Sequence, residues 1–161
     1  MDDNKIHDVI RTKKLELIDS EERVRVRLEE HDKGFIGMRF FDLSGHLKMN
    51  IGLGADGVPN VSLSCGDGHP RIVMTALNDG SSQIFAYTGS PEAVKGNEVP
   101  CWQLYIAGDG SVSKITYFTT DGTPALVIGA NSKGDTTLSA FKDGQIIWVA
   151  PNDCRDSKPK L

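Results

Sequence analysis

Cys65 and His69, in the run Cys65-Gly66-Asp67-Gly68-His69, are the nearest this chain comes to a local metal pair. A structural zinc site needs four such ligands, and no second local pair stands beside them. Cys101 and Cys154 are far along the chain, and His7, His31 and His46 stand singly. Gly52-Leu53-Gly54-Ala55-Asp56-Gly57 spells G-x-G-x-x-G. A dinucleotide site requires a helix next, whose N-terminus receives the pyrophosphate. Val58-Pro59-Asn60-Val61 follows instead and opens a strand, so the match reads as a hairpin. Calcium would want several carboxylates from one loop, and the Asp-Gly pairs of this chain offer one apiece. Ser, His and Asp are all present, but no G-x-S-x-G elbow presents a nucleophile. No catalytic residue, metal or cofactor is assigned. Asn60-Val61-Ser62 is a glycosylation sequon that, without an export signal, reads as incidental.

Two further sets suit binding without reaction. Trp102, Tyr105 and Tyr117 are aromatic platforms for a small ligand or a glycan. Arg23, Arg25 and Arg27 alternate along one strand and form a basic row for a partner. The same alternation also keeps an edge hairpin solvated.

The elements that must carry these residues are repeats. Windows of 23 residues opening at Leu15, Met38 and Val61 superpose without gaps. Leu17, Phe40 and Leu63 share a column, as do Val26, Met49 and Ile72, then Leu28, Ile51 and Met74. Later, HLKMNIGLGADG (46–57) aligns with TPALVIGANSKG (123–134). Inside each unit apolar residues alternate with others, as Val24, Val26 and Leu28 do with the three arginines. A period of two is the mark of a strand, and each window holds two strands. The pairs Asp56-Gly57, Asp67-Gly68, Asp79-Gly80, Asp109-Gly110, Asp121-Gly122 and Asp143-Gly144 fall between the alternating runs. Asp-Gly there predicts two-residue hairpin turns with positive φ at both positions. The fold expected is all-β, an antiparallel meander of about 10–12 short strands. It could close as a sandwich, a barrel or an oligomeric prism, since later strands such as Ile146–Ala150 are apolar on both sides and need covering twice.

The repeat domain spans 15–150, between a polar N-terminal segment (1–14) and a polar C-terminal tail (151–161). An irregular insertion, SPEAVKGNEVPCWQ, interrupts it at 90–103. A single domain of 161 residues with 39% hydrophobic content can fold, and a net charge of −4 gives nucleic acid no electrostatic purchase. No apolar run approaches the ~18 residues of a membrane-spanning helix. The opening MDDNKIHDVI is charged where a signal peptide is apolar, and three cysteines make no disulfide framework. A cytoplasmic protein is expected.

The phrase YFTTDGTPALVIGANSKGDTTLSAFKDGQIIWVAP (117–151) resembles bacterial β-repeat proteins built from recurring "LYDxxGxxRxxLGxDxDG"-like hairpin units. VIRTKKLELIDSEERVRVRL (9–28) is similar to their first unit, and Trp148 and Pro151 to their usual ending. The likeness covers 9–88 and 104–151. It implies β-repeat architecture in a bacterial setting and brings no catalytic residue; such proteins often carry an N-terminal membrane anchor, and none is expected within these residues. The function expected is a non-catalytic scaffold or interaction module that associates with itself or with another protein. Small-ligand or glycan binding is the alternative. An enzyme assembled across strands comes third and would gather His46 or His69 with acidic partners.

Overall fold

A computed structural model describes residues 10–31, 34–66, 69–87 and 100–150. They form twelve strands: β1 (Lys14–Ile18), β2 (Val24–His31), β3 (Phe35–Phe41), β4 (Leu47–Leu53), β5 (Pro59–Ser64), β6 (Pro70–Ala76), β7 (Ser82–Tyr87), β8 (Pro100–Ile106), β9 (Val112–Phe118), β10 (Pro124–Asn131), β11 (Thr136–Lys142) and β12 (Gln145–Val149). All twelve lie in one sheet in sequence order, and every neighbouring pair is antiparallel. The all-β meander is as the alternation predicted. The sheet does not close within the chain: β1 and β12 are free edges, and the described residues supply neither the seam of a barrel nor the second layer of a sandwich, while an oligomeric prism would be built from further copies.

The segments 1–9, 90–99 and 151–161 lie outside the described residues, as do Asp67-Gly68, His7 and Cys154. The insertion read over 90–103 ends earlier than its composition suggested, because Pro100–Gln103 already belong to β8. The proline opens the strand, the one place within a ladder where its missing N–H costs least.

Most hairpins turn by a different device from the one expected. Six described turns share a five-residue pattern at 19–23, 42–46, 54–58, 77–81, 119–123 and 131–135. The first N–H donates to the fifth C=O, the fourth N–H donates to the first C=O, and the fourth residue has positive φ. This is a type I turn closed by a left-handed residue, which favours glycine. The Asp of Asp56-Gly57, Asp79-Gly80 and Asp121-Gly122 therefore sits at the third position, outside the positive-φ region. Its carboxylate accepts the N–H two residues on, as Asp79 Oδ1 does from Ser81 at 2.9 Å. A short acceptor fits that place as well as it fits a primed turn, which is why the pair looked the same in sequence. Asp143-Gly144 alone among the described pairs is the two-residue form, with φ of 50° and 73°.

Register shifts recur at Leu17/Ile18, Phe40/Phe41, Leu63/Ser64, Ala86/Tyr87, Pro124/Leu126 and Ala140/Phe141. Every one falls between an odd strand and the next even strand, so all six bulges lie along one rim. The first four follow the 23-residue step, giving the period a backbone meaning: one plain hairpin and one bulged hairpin per unit.

Candidate functional site

The ladder registers sort the strand residues onto two faces, because side chains alternate along each strand. One face carries a middle row that passes from Leu15 through Leu28, Met38, Ile51, Val61, Met74, Ile84, Leu104, Ile115 and Ile128 to Leu138. Nearer the bulged rim, a second row runs Leu17, Val26, Phe40, Met49, Leu63, Ile72, Ala86, Trp102, Tyr117, Leu126, Ala140 and Trp148. Neither row contains a charged residue. We call this side the apolar face.

The apolar face is open. Ten of the side chains in the two rows are exposed, from 37% at Met38 to 56% at Leu17, the others are half-buried, and among the described residues no hydrophobic side chain is buried. Over β4 to β8 the face dips into an apolar groove of about 550 Å³, lined by Leu53, Met74, Ile84 and Ile106 and floored where the side chains shrink to Ala76 and Ser82.

The opposite face changes character along the sheet. Its middle row reads Glu16, Arg27, Arg39, Asn50, Ser62, Val73, Phe85, Gln103, Thr116, Val127, Ser139 and Val149. Charge is concentrated in the first three strands and paired there. Arg27 Nε meets Glu16 Oε1 at 2.7 Å, and its guanidinium lies 5.5 Å from the Phe41 ring centre. Lys14 and Arg27 hold the Glu16 carboxyl below its usual range.

The sequence-nominated residues separate on this frame. Trp102 and Tyr117 are cross-strand partners on the apolar face, with Tyr117 43% exposed. Tyr105 lies on the other side, with the Lys114 ammonium 5.5 Å from its ring centre, so the three aromatics make no common platform. The arginine row is occupied within the chain. Arg23 binds Asp19 at 2.9 Å and Glu21 at 2.7 Å, while Arg25 Nε donates to the Phe41 carbonyl at 3.1 Å. Arg25 and Lys48 both fall within the bulges of their hairpins. Each stands near the Asp that opens its turn, Arg25 3.6 Å from Asp19 and Lys48 3.2 Å from Asp42.

Cys65 and His69 flank the β5–β6 turn, where the Cys65 N–H donates to the His69 carbonyl at 3.3 Å. Among the described residues no three His, Cys, Asp or Glu side chains gather as metal ligands would. His46 lies 3.5 Å from Asp42, across one exposed turn. The His46 N–H, with Lys48 and the Ser44 N–H, brings the Asp42 carboxyl down to about 2, against the opposing effect of desolvation. Those donors belong to the turn and to the strand that follows it, and they account for the shift without a reaction.

Sequence reasoning recovered the apolar columns but missed their extent. The signal was present, since the same column arithmetic carries past Ile84 once the connection after Tyr87 is allowed seven extra residues and the β8–β9 turn, closed from Ala107 to Val112, one more. Ala86 and Trp102 are sixteen positions apart, whereas Leu17 and Val26, Phe40 and Met49, and Leu63 and Ile72 are each nine apart. No family model matches the chain, and no curated protein matches it.

Proposed function

We propose that the protein is a non-catalytic β-repeat scaffold that assembles with further copies of itself through the apolar face. The observation that carries this reading is the pair of unbroken apolar rows on the open side of a sheet without a buried hydrophobic side chain among its described residues. A single antiparallel sheet can keep one face in water, but it must bury the other to offset the entropy of ordering the chain. Eleven inter-strand steps of about 4.8 Å and strands of about 23 Å make a face of about 1,200 Å². The largest apolar patch on an ordinary monomer is about 300–600 Å², and a stable interface takes about 800 Å² from each partner.

The regularity of the face favours a copy over a foreign partner. Its rows recur at every strand with one spacing, and a second sheet of the same spacing matches them along their whole length. A membrane-crossing barrel fits less well, because strands of 5 to 8 residues fall short of the ~9–11 that cross a bilayer. Size-exclusion chromatography with light scattering tests the reading. A mass that is a multiple of the 17.5 kDa chain is expected, and a folded 17.5 kDa species at micromolar concentration rejects it.

A further inference from the structure

We infer that three copies pack their apolar faces around one axis that runs along the ladder, across the strands, with the middle row innermost; this rests on the self-association proposed above. Width sets the first limit. Facing sheets pack about 10 Å apart, so each lies about 5 Å from their shared midline. Three sheets about 23 Å wide, set as the sides of a triangle, lie about 7 Å from the axis, whereas four lie about 12 Å out and leave an unfilled lumen. Two or three copies satisfy packing, and four do not.

The composition of the rows separates two from three. In a two-copy sandwich every row meets the same gap, so middle and flanking rows face equal demands of volume and polarity. In a three-sided prism only the middle row reaches the axis, while the flanks open towards corners and rims. The middle row is aliphatic or Met at all eleven positions, without an alanine, an aromatic or a polar group. The row on the bulged side ranges from Ala86 and Ala140 to Trp102 and Trp148. Beyond the middle row on the other side, the same face mixes Ile36, Leu53 and Ile106 with Glu30, Ser82, Ser113 and Thr136. A uniform centre with variable, partly polar flanks is the gradient a threefold prism imposes. It also explains why the groove over Ala76 and Ser82 persists in a single chain: side chains from the other two copies fill it.

Ile115 and Ser113 test the gradient on one strand, two residues apart on one face. The full chain is run by analytical ultracentrifugation as wild type, Ile115→Asp and Ser113→Asp. The wild type is expected at three times 17.5 kDa. Ile115→Asp, which places a charge at the axis, should weaken association by at least about 100-fold, and Ser113→Asp by less than about 10-fold. A wild-type mass of twice 17.5 kDa, or of four times, overturns the prism and leaves self-association standing. Weakening by Ser113→Asp of about 100-fold or more also overturns it, even if Ile115→Asp does not fold. A folded monomer overturns the prism together with the reading beneath it.

Discussion

Gly37 and Gly52 face each other across the β3–β4 ladder, and the ring of Phe35 covers both. A Cβ on Gly37 would meet the Ile51 carbonyl oxygen at 2.5 Å, and one on Gly52 would run into the Ile36 carbonyl oxygen and stand 2.7 Å from the Phe35 ring. Glycine weakens a strand when nothing covers it, and here the aromatic ring supplies the missing contact. Gly52→Ala should therefore destabilise, although alanine is the better strand residue by entropy. The obstacle is backbone, which cannot swing aside, so a loss of about 1–3 kcal/mol is expected in urea unfolding. An unchanged midpoint would show that the strands separate freely at this point.

Glu22 has φ of 60°, at the turn position where five equivalent hairpins place glycine. A side chain in the left-handed region costs about 1–2 kcal/mol, part of which Gly recovers less its greater freedom when unfolded. Glu22→Gly should raise stability by up to about 1 kcal/mol, and Gly80→Ala, at φ 82° beside Gly108, should lower it. Paired thermal melts decide the matter. A destabilising Glu22→Gly would mean that the glutamate makes a compensating contact.

Asp121 carries the clearest pH dependence. The Thr119 hydroxyl donates to its carboxylate, followed by the Thr123 N–H at 3.1 Å and the Thr123 hydroxyl at 2.9 Å, and together they lower its carboxyl from 3.8 to about 2. The folded value lies below the unfolded one. The stabilisation is thus complete above 3.8 and lost as the pH falls through about 2. Asp42, also near 2, adds a loss in the same window. Carboxyl NMR should place Asp121 near 2. Asp121→Asn, which keeps an acceptor without the charge, should fold at neutral pH and show a shallower acid transition. A carboxyl midpoint of 3.8 would mean that the turn bonds do not form in solution.

How far the fold could be read from sequence depends on which physical signal each feature leaves. The apolar columns from Leu15 to Met74 were readable because register, face and period coincide there. The three-residue loops were not distinguished from primed turns, since Asp before Gly serves both and differs only in the sign of the Asp φ. Trp102 looked like part of an insertion because Pro100 and Cys101 precede it, yet a proline can open a strand. Tyr105 shares its aromatic character with Trp102 and Tyr117, but its odd offset from Trp102 sends it to the other face. Strand parity was available for that distinction. What no single sequence displays is that the sheet stays open, because an open apolar face has the composition of a core.

Trp102 and Trp148 are the two tryptophans of the chain, and both stand in the second row of the apolar face. Intrinsic fluorescence therefore reports on that face without a label. Trp148 is 50% exposed in the isolated chain, so a free sheet should emit like a partly hydrated indole and be quenched by iodide. Assembly removes water from the row, and the wild type should emit at shorter wavelength and resist quenching. Dilution, or Ile115→Asp, should move both readings towards the exposed values in step with the fall in mass. The change has to follow association and not unfolding, so far-ultraviolet circular dichroism is recorded on the same samples. Emission already red-shifted and freely quenched in an associated wild type would place the contact elsewhere, on the second face or on the open edges β1 and β12.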